Sequence, residues 1–155
     1  MKSNPLLIGV IADTHGLLRA EALAALKGCG LILHAGDIGG PEVLDGLRSI
    51  APVIAVRGNT DRGGWAETLR ERELVEAGGR LIYLLHEIGD LDIDPAAAGV
   101  AAVISGHSHI PRMKYRDGIL FFNPGSAGPK RWNLSASIGL LRTGDEGLEG
   151  KIIEL

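Results

Sequence analysis

The chain is poor in cysteine, aromatic residues and net positive charge. One cysteine and six aromatic residues (two Trp, two Tyr, two Phe) stand among 155 residues. A lone thiol excludes a disulfide framework and any cysteine-rich zinc site. No apolar stretch approaches the ~20 residues that span a bilayer. The N-terminal segment carries one lysine, Lys2, and a seven-residue apolar run, Leu6 to Ala12, that stops at Asp13 without a small-residue cleavage site. Neither export nor a membrane is therefore expected, and the expected setting is cytoplasmic. Sixteen Lys and Arg against 19 Asp and Glu give a net charge of −3. A basic nucleic-acid surface is not expected from that balance, and taken alone it argues against a phosphate-bearing substrate. Walker A and Gly-x-Ser-x-Gly patterns are missing, which removes P-loop and serine-hydrolase readings.

What the chain does hold is apolar residues, 45% of the total, and 23 glycines, roughly twice the usual share. The length suits one domain, residues 1–155. Leu6–Ala12, Leu31–Ala35 and Val53–Val56 read as buried strands, with helices over Leu17–Lys27 and Pro41–Ile50 between them. That alternation predicts a parallel sheet with right-handed crossovers. Further on, Glu73–Ala77 and Leu81–Leu85 flank a Gly78-Gly79 turn as a hairpin. Asp94–Ala98 reads as a helical turn and Val100–Ile104 as a buried strand. Met113–Tyr115, Ile119–Phe122, Leu134–Leu141 and Leu148–Leu155 read as a meander of antiparallel strands. No linker or repeat separates the halves, so one mixed α/β unit is expected, two packed sheets with helices outside.

The polar residues sit where the apolar runs end. Five strands finish in Asp13-Thr14-His15, His34-Ala35-Gly36-Asp37, Gly58-Asn59-Thr60-Asp61, His86, and Gly106-His107-Ser108-His109. The steps His15–Asp37, Asp37–Asn59, Asn59–His86 and His86–His107 are 22, 22, 27 and 21 residues. A βα unit returns the chain to one sheet edge after about this distance, so these side chains converge at the carboxyl edge, where open α/β folds bind ligands. Any one of them alone reads as a core histidine, a turn or a cap. Four of the five histidines at strand ends do not. Asp, His and Asn donors suit Mn, Fe, Zn or Co. Seven candidates (Asp13, His15, Asp37, Asn59, His86, His107, His109) exceed one ion's needs, which predicts a dinuclear centre with Asp37 as the bridge.

The ordered motifs, ending in Asn123-Pro124-Gly125-Ser126, resemble the calcineurin-like metallophosphoesterase superfamily, most of all its small single-domain prokaryotic phosphodiesterases. The resemblance covers about 115 residues. It implies a four-layer α/β/β/α sandwich of two mixed sheets flanked by helices. It also implies Asp13, His15 and His109 on one ion, Asn59, His86 and His107 on the other, and Asp37 on both. Two divalent ions are implied, Mn²⁺ first, with Zn²⁺, Fe²⁺, Co²⁺ or Ni²⁺ as substitutes. A hydroxide bridging them would attack phosphorus, with Asp37, Asn59 and His107 as the catalytic set, on a small phosphoester. Many superfamily members carry a protonating histidine after the asparagine ligand, where this chain has Thr60, so good leaving groups are favoured. His86-Glu87 replaces the common His-Gly-His. His34 and Asp61 are candidates to orient ligands, Ser126 to bond a ligand histidine, and Lys130 and Arg131 to meet phosphate or to lie solvated. Cys29 and Trp132 read as packing. Four charges from two ions against two carboxylates would reverse the first inference from net charge. The alternative is a non-catalytic scaffold of this fold, as in a retromer subunit; a nuclease fits poorly for want of a basic stripe. Assembly into a homo-oligomer stays open.

Overall fold

The computed structural model describes residues 5–155; residues 1–4, which include Lys2, lie outside it. Strands β1 (Leu7–Ile11), β2 (Leu31–His34) and β3 (Val53–Ala55) are parallel and alternate with helices α1 (Ala20–Leu26) and α2 (Pro41–Arg48). A one-turn helix α3 (Gly64–Glu67) leads to β4 (Arg72–Ala77), β5 (Arg80–Leu85) and β6 (Val100–Ile104). Then come β7 (Arg112–Arg116), β8 (Ile119–Asn123), β9 (Ser137–Gly144) and β10 (Gly147–Glu154). The sheets run β10-β9-β1-β2-β3 and β4-β5-β6-β8-β7. Each holds three parallel strands, β1-β2-β3 and β5-β6-β8, with antiparallel neighbours outside them.

Alternation along the strands builds the layers. Ile8, Val10, Leu33 and Leu141 of the first sheet face Ile82, Leu84, Ile104, Leu120 and Phe122 of the second in one fully buried core. The opposite face of the first sheet, Ile11, Ile32 and Ile138, packs on Leu26, Val43 and Leu47 of α1 and α2. This is the expected pair of mixed sheets flanked by helices. The cover over the second sheet is thin: Leu91 and Ile93, after a 3₁₀ turn at Ile88–Asp90, pack on Tyr83 and Val103. Tyr83 Oη donates to Asp92 Oδ1 at 2.7 Å, and Arg72 Nη2 donates to Asp90 O at 3.1 Å, pinning that cover. No helix among the described residues is long and apolar enough to cross a membrane.

Several expectations need correcting. The second half is not one antiparallel meander, since β8 pairs parallel to β6 and the β9–β10 hairpin joins the first sheet beside β1. Residues 17–19 do not begin α1, which starts at Ala20, because the backbone N–H groups of His15 and Gly16 donate to Asp37 O and Ile38 O, and Leu17 N donates to Thr14 O. β9 starts at Ser137 rather than Leu134, after a turn closed by Leu134 N to Arg131 O. Cys29 is buried, whereas Trp132 is 81% exposed. Phe122→Ala removes a buried ring from between the sheets and is expected to cost about 3–5 kcal/mol, read as a lower urea midpoint at unchanged slope.

Candidate metal centre

Six parallel strands leave their carboxyl ends at one end of the sandwich, and the loops there are stitched across the two sheets. His86 Nδ1 lies 2.8 Å from Ala35 O, joining the ends of β5 and β2. His107 N donates to Asp13 Oδ2 at 3.0 Å, and Ser126 Oγ donates to Asp13 O at 3.1 Å, joining the second sheet to β1. Asp13, His15, Asp37, His107 and His109 all have positive φ, between 47° and 71°. They are five of seven such non-glycine residues among those described. Each costs roughly 1–2 kcal/mol of backbone strain, sustained by the loop hydrogen bonds. A Cβ on Gly36, at φ +101°, would come within 2.7 Å of His86 Nδ1, and one on Gly58 would run into the Asp37 carboxylate and backbone.

Two groups of donors result. Asp13, His15 and His109 form one, Asp37, His86 and His107 the other, with ligand atoms in each within 4.8 Å of one another. In the first, His109 Nε2 lies 3.5 Å from Asp13 Oδ1, and Asp13 Oδ1, His15 Nε2 and His109 Nδ1 are buried without a hydrogen-bond partner. In the second, His86 Nδ1 donates to Ala35 O, and Nε2, which holds a proton against Asp37 until an ion takes that proton's place, lies 2.9 Å from Asn59 Oδ1, 3.2 Å from His107 Nδ1 and 3.3 Å from Asp37 Oδ2. Asp37 Oδ2 is also 3.8 Å from His15 Nε2, between the groups. Electron-pair donors facing one another with few protons among them are what divalent cations satisfy, so this set fits two ions.

The same crowding sets the protonation. Burial pushes the Asp13 carboxyl up to about 7, with the nearby Asp37 charge adding. Burial acts the same way on Asp37, but hydrogen bonds from His86 and Thr60 N–H outweigh it and hold Asp37 well below the usual carboxylate range. Burial opposes charge on His86 too; its bonds to Asp37 and Ala35 prevail and raise it. His109 is lowered to about 4 by burial, then by Arg131, which leaves its lone pair free for an ion at neutral pH.

The other sequence candidates fall behind the ligands or at the rim. His34 is fully buried, 3.0 Å from Thr14 Oγ1, and accepts from Gly36 N at 3.1 Å. Burial lowers it to about 3. Asp61 accepts from Gly39 N and Gly58 N, so it ties two ligand loops and offers nothing to substrate. Ser126 bonds the Asp13 carbonyl, not the expected histidine. Thr60 is exposed and acts through its backbone N–H on Asp37. Arg131 is exposed at the rim, within electrostatic reach of Asp13 and His109. Two contributors escaped the sequence reading. Arg19 donates to Ala127 O and Gly128 O under the site. Glu87 Oε1 stands 3.6 Å from His107 Nε2; its only signal was the departure from His-Gly-His.

The family profile described as the calcineurin-like phosphoesterase superfamily domain matches residues 6–146. A probable metallophosphoesterase of Methanothermobacter thermautotrophicus is 36% identical over 160 residues, covering 96% of this chain and 92% of its own. The phosphodiesterase YfcE of Escherichia coli is 28% identical, with 84% of each chain covered. Among solved structures, Vps29 of Entamoeba histolytica in complex with Zn²⁺ superposes with a TM-score of 0.71 at 26% identity, covering 96% of this chain and 99% of that one.

Two outcomes follow from the geometry. Ions compete with the Asp13 proton, which is held up to about pH 7, and raising the pH also leaves a buried anion beside Asp37 in the ion-free protein. Both effects act in one direction, so the gain in Tm on adding Mn²⁺ is expected to be larger at pH 8 than at pH 5. Gly36→Ala is expected to lower the Tm and weaken ion binding about tenfold or more, measured by calorimetry.

Proposed function

The chain belongs to the calcineurin-like phosphoesterase superfamily, and from that premise we propose that it hydrolyses phosphodiesters at a two-ion centre. What carries this reading is the facing of lone pairs from Asp13, His15, Asp37, Asn59, His86, His107 and His109 with so few protons between them. Asp13, His15 and His109 would hold one ion, Asn59, His86 and His107 the other, and Asp37 both. When bound, the divalent ions, Mn²⁺ by expectation, neutralise phosphate charge and lower the pKa of water.

The chain's own groups do the rest. Thr60 N–H keeps the Asp37 carboxylate anionic and oriented. Thr14, His34, Asp61 and Ser126 hold the ligand loops from behind. Arg131 adds positive potential at the rim, which favours a phosphate over other small solutes. In the reaction the oxygen of water joins phosphorus as the bond to the leaving alcohol breaks, and the leaving oxygen must gain a proton or depart as an anion. Thr60 carries no titrating group, so acidic alcohols leave best. The substrate is read as a small phosphodiester and the setting as cytoplasmic, where the buried Cys29 stays reduced.

A second reading, a metal-binding scaffold that docks a partner protein, has in its favour the likeness to Vps29. Turnover separates the two. Mn²⁺-stimulated hydrolysis of bis(p-nitrophenyl) phosphate is expected, falling about 10²–10³-fold in Asp37→Ala or His86→Ala while circular dichroism stays native. Ion binding by the wild type without any turnover would favour the scaffold, and wild-type rates in both variants would end the two-ion reading. Thr60→His is expected to raise hydrolysis of alkyl relative to aryl diesters about tenfold or more, measured as the ratio of kcat/KM values.

A further inference from the structure

The outer face of the second sheet carries a groove of about 850 Å³ that reaches the metal centre at His107 and Glu87. Val103 of β6 with Ile119 and Phe121 of β8 make its floor, and the 3₁₀ turn at Ile88–Asp90 with Leu91 makes one wall. The other wall is the edge strand β7. Its register pairs Arg112 with Asn123, Lys114 with Phe121 and Arg116 with Ile119, which puts all three cations on the floor side. Met113 and Tyr115 point the other way, where Tyr115 Oη donates to Leu148 O at 2.8 Å. A strand's rise spaces the cations about 6.6 Å apart in a row about 13 Å long. None of the three joins an ion pair among the described residues, whereas Arg48, Arg57, Arg70 and Arg72 all do. The Arg116 guanidinium lies 5.9 Å from the centre of the Phe121 ring, a flat cationic platform at the far end. Glu87 and Asp94 stand on the opposite wall and Asp117 beyond the platform.

Charge on an edge strand also protects it from pairing, but charge on either face would serve. Here every cation shares the face with the apolar floor, and the row leads away from the site where phosphate is cleaved. A cationic track beside a stacking surface is how single-stranded nucleotides are held. We propose that this groove binds the leaving-group half of the substrate, and that this half is a nucleotide bearing a phosphate of its own, as in a linear dinucleotide with a terminal phosphate. The added phosphate meets Lys114, the sugar crosses the apolar floor, and the base lies on the Arg116–Phe121 platform. The track is too short for a duplex. The proposal rests on the hydrolase reading above and extends it to a substrate class.

Binding and turnover test it separately. The Mn²⁺-loaded full chain is titrated calorimetrically with a methylphosphonate-linked dithymidine, which carries no cleavable phosphodiester, with and without a 3′-terminal phosphate. The terminal phosphate is expected to tighten Kd at least tenfold in the wild type. The K114E/R116E variant should lose that gain while hydrolysing bis(p-nitrophenyl) phosphate at the wild-type rate. Lys114→Gln alone should lose part of it, and serves if the double variant fails to fold. Equal Kd for the two analogues in the wild type, or a gain that survives both K114E/R116E and Lys114→Gln, overturns the groove assignment. If the gain is present, the phosphorylated dinucleotide should be cleaved at least tenfold more efficiently than the unphosphorylated one; equal kcat/KM overturns the substrate class. A wild type that cleaves no diester, aryl or nucleotide, overturns the hydrolase reading instead.

Discussion

Lone pairs pressed against lone pairs are the constraint around which this molecule is arranged. Oxygen and nitrogen ligand atoms of Asp37, Asn59, His86 and His107 lie within a few ångströms of one another, as do those of Asp13, His15 and His109, and a hydrogen bond to Ala35 fixes His86 Nδ1. Such a cluster is repulsive until a proton or a cation enters it. The two carboxylates show the compromise in the protein itself: Asp13 is driven toward neutrality, and Asp37 is kept anionic by donors supplied by Thr60 and His86. The left-handed backbone at five ligand positions and the missing side chains at Gly36 and Gly58 are further costs of bringing those atoms together.

The fold supplies the convergence cheaply. Three parallel strands in each of two sheets deliver six chain ends to one place, so the ligands need only short loops. Near the site the inward-facing residues are small: Ala12 and Ala35 are fully buried, and Gly106 lies against Ala12. The sheets can therefore approach closely where hydrogen bonds replace apolar packing. Larger residues such as Leu84, Leu120 and Phe122 fill the space deeper in the sandwich. The result is a polar end held by an apolar body, in which stability and ligand geometry are assigned to different residues.

Much of this was legible in the sequence for a simple reason. An apolar run that ends in a metal-binding residue type states both where a strand is and where it points. That held for Asp13, Asp37, Asn59, His86 and His107, whose spacing matched the order of the loops that meet at one end of the sandwich. What was not legible depends on partners distant in the chain. No local pattern tells β9 to pair with β1 rather than with β8, or β8 to lie parallel to β6. Leu17 and Leu18 continue a helical period, yet hydrogen bonds from His15 and Gly16 to the β2 loop override it. Ser126 looked like a partner for a histidine because its side chain can donate; the nearer acceptor was the Asp13 carbonyl. Trp132 looked like core because tryptophan usually is, and only the turn closed by Leu134 N shows why it is not.

The left-handed conformation of these candidate ligands also bears on stability. Asp13, His15, Asp37, His107 and His109 hold a backbone that glycine would adopt without penalty, while the sandwich core beneath them makes no use of their side chains. Glycine at His15 or His109, whose side chains hold no hydrogen bond among the described residues, would relieve that strain, whereas Asp13 and Asp37 would first give up the bonds they accept from His107 N and Thr60 N. At those two histidines loss of the ion-binding side chain runs downhill in stability, so the architecture does not depend on its chemistry there. His15 and His109 stand in this chain in spite of that gradient.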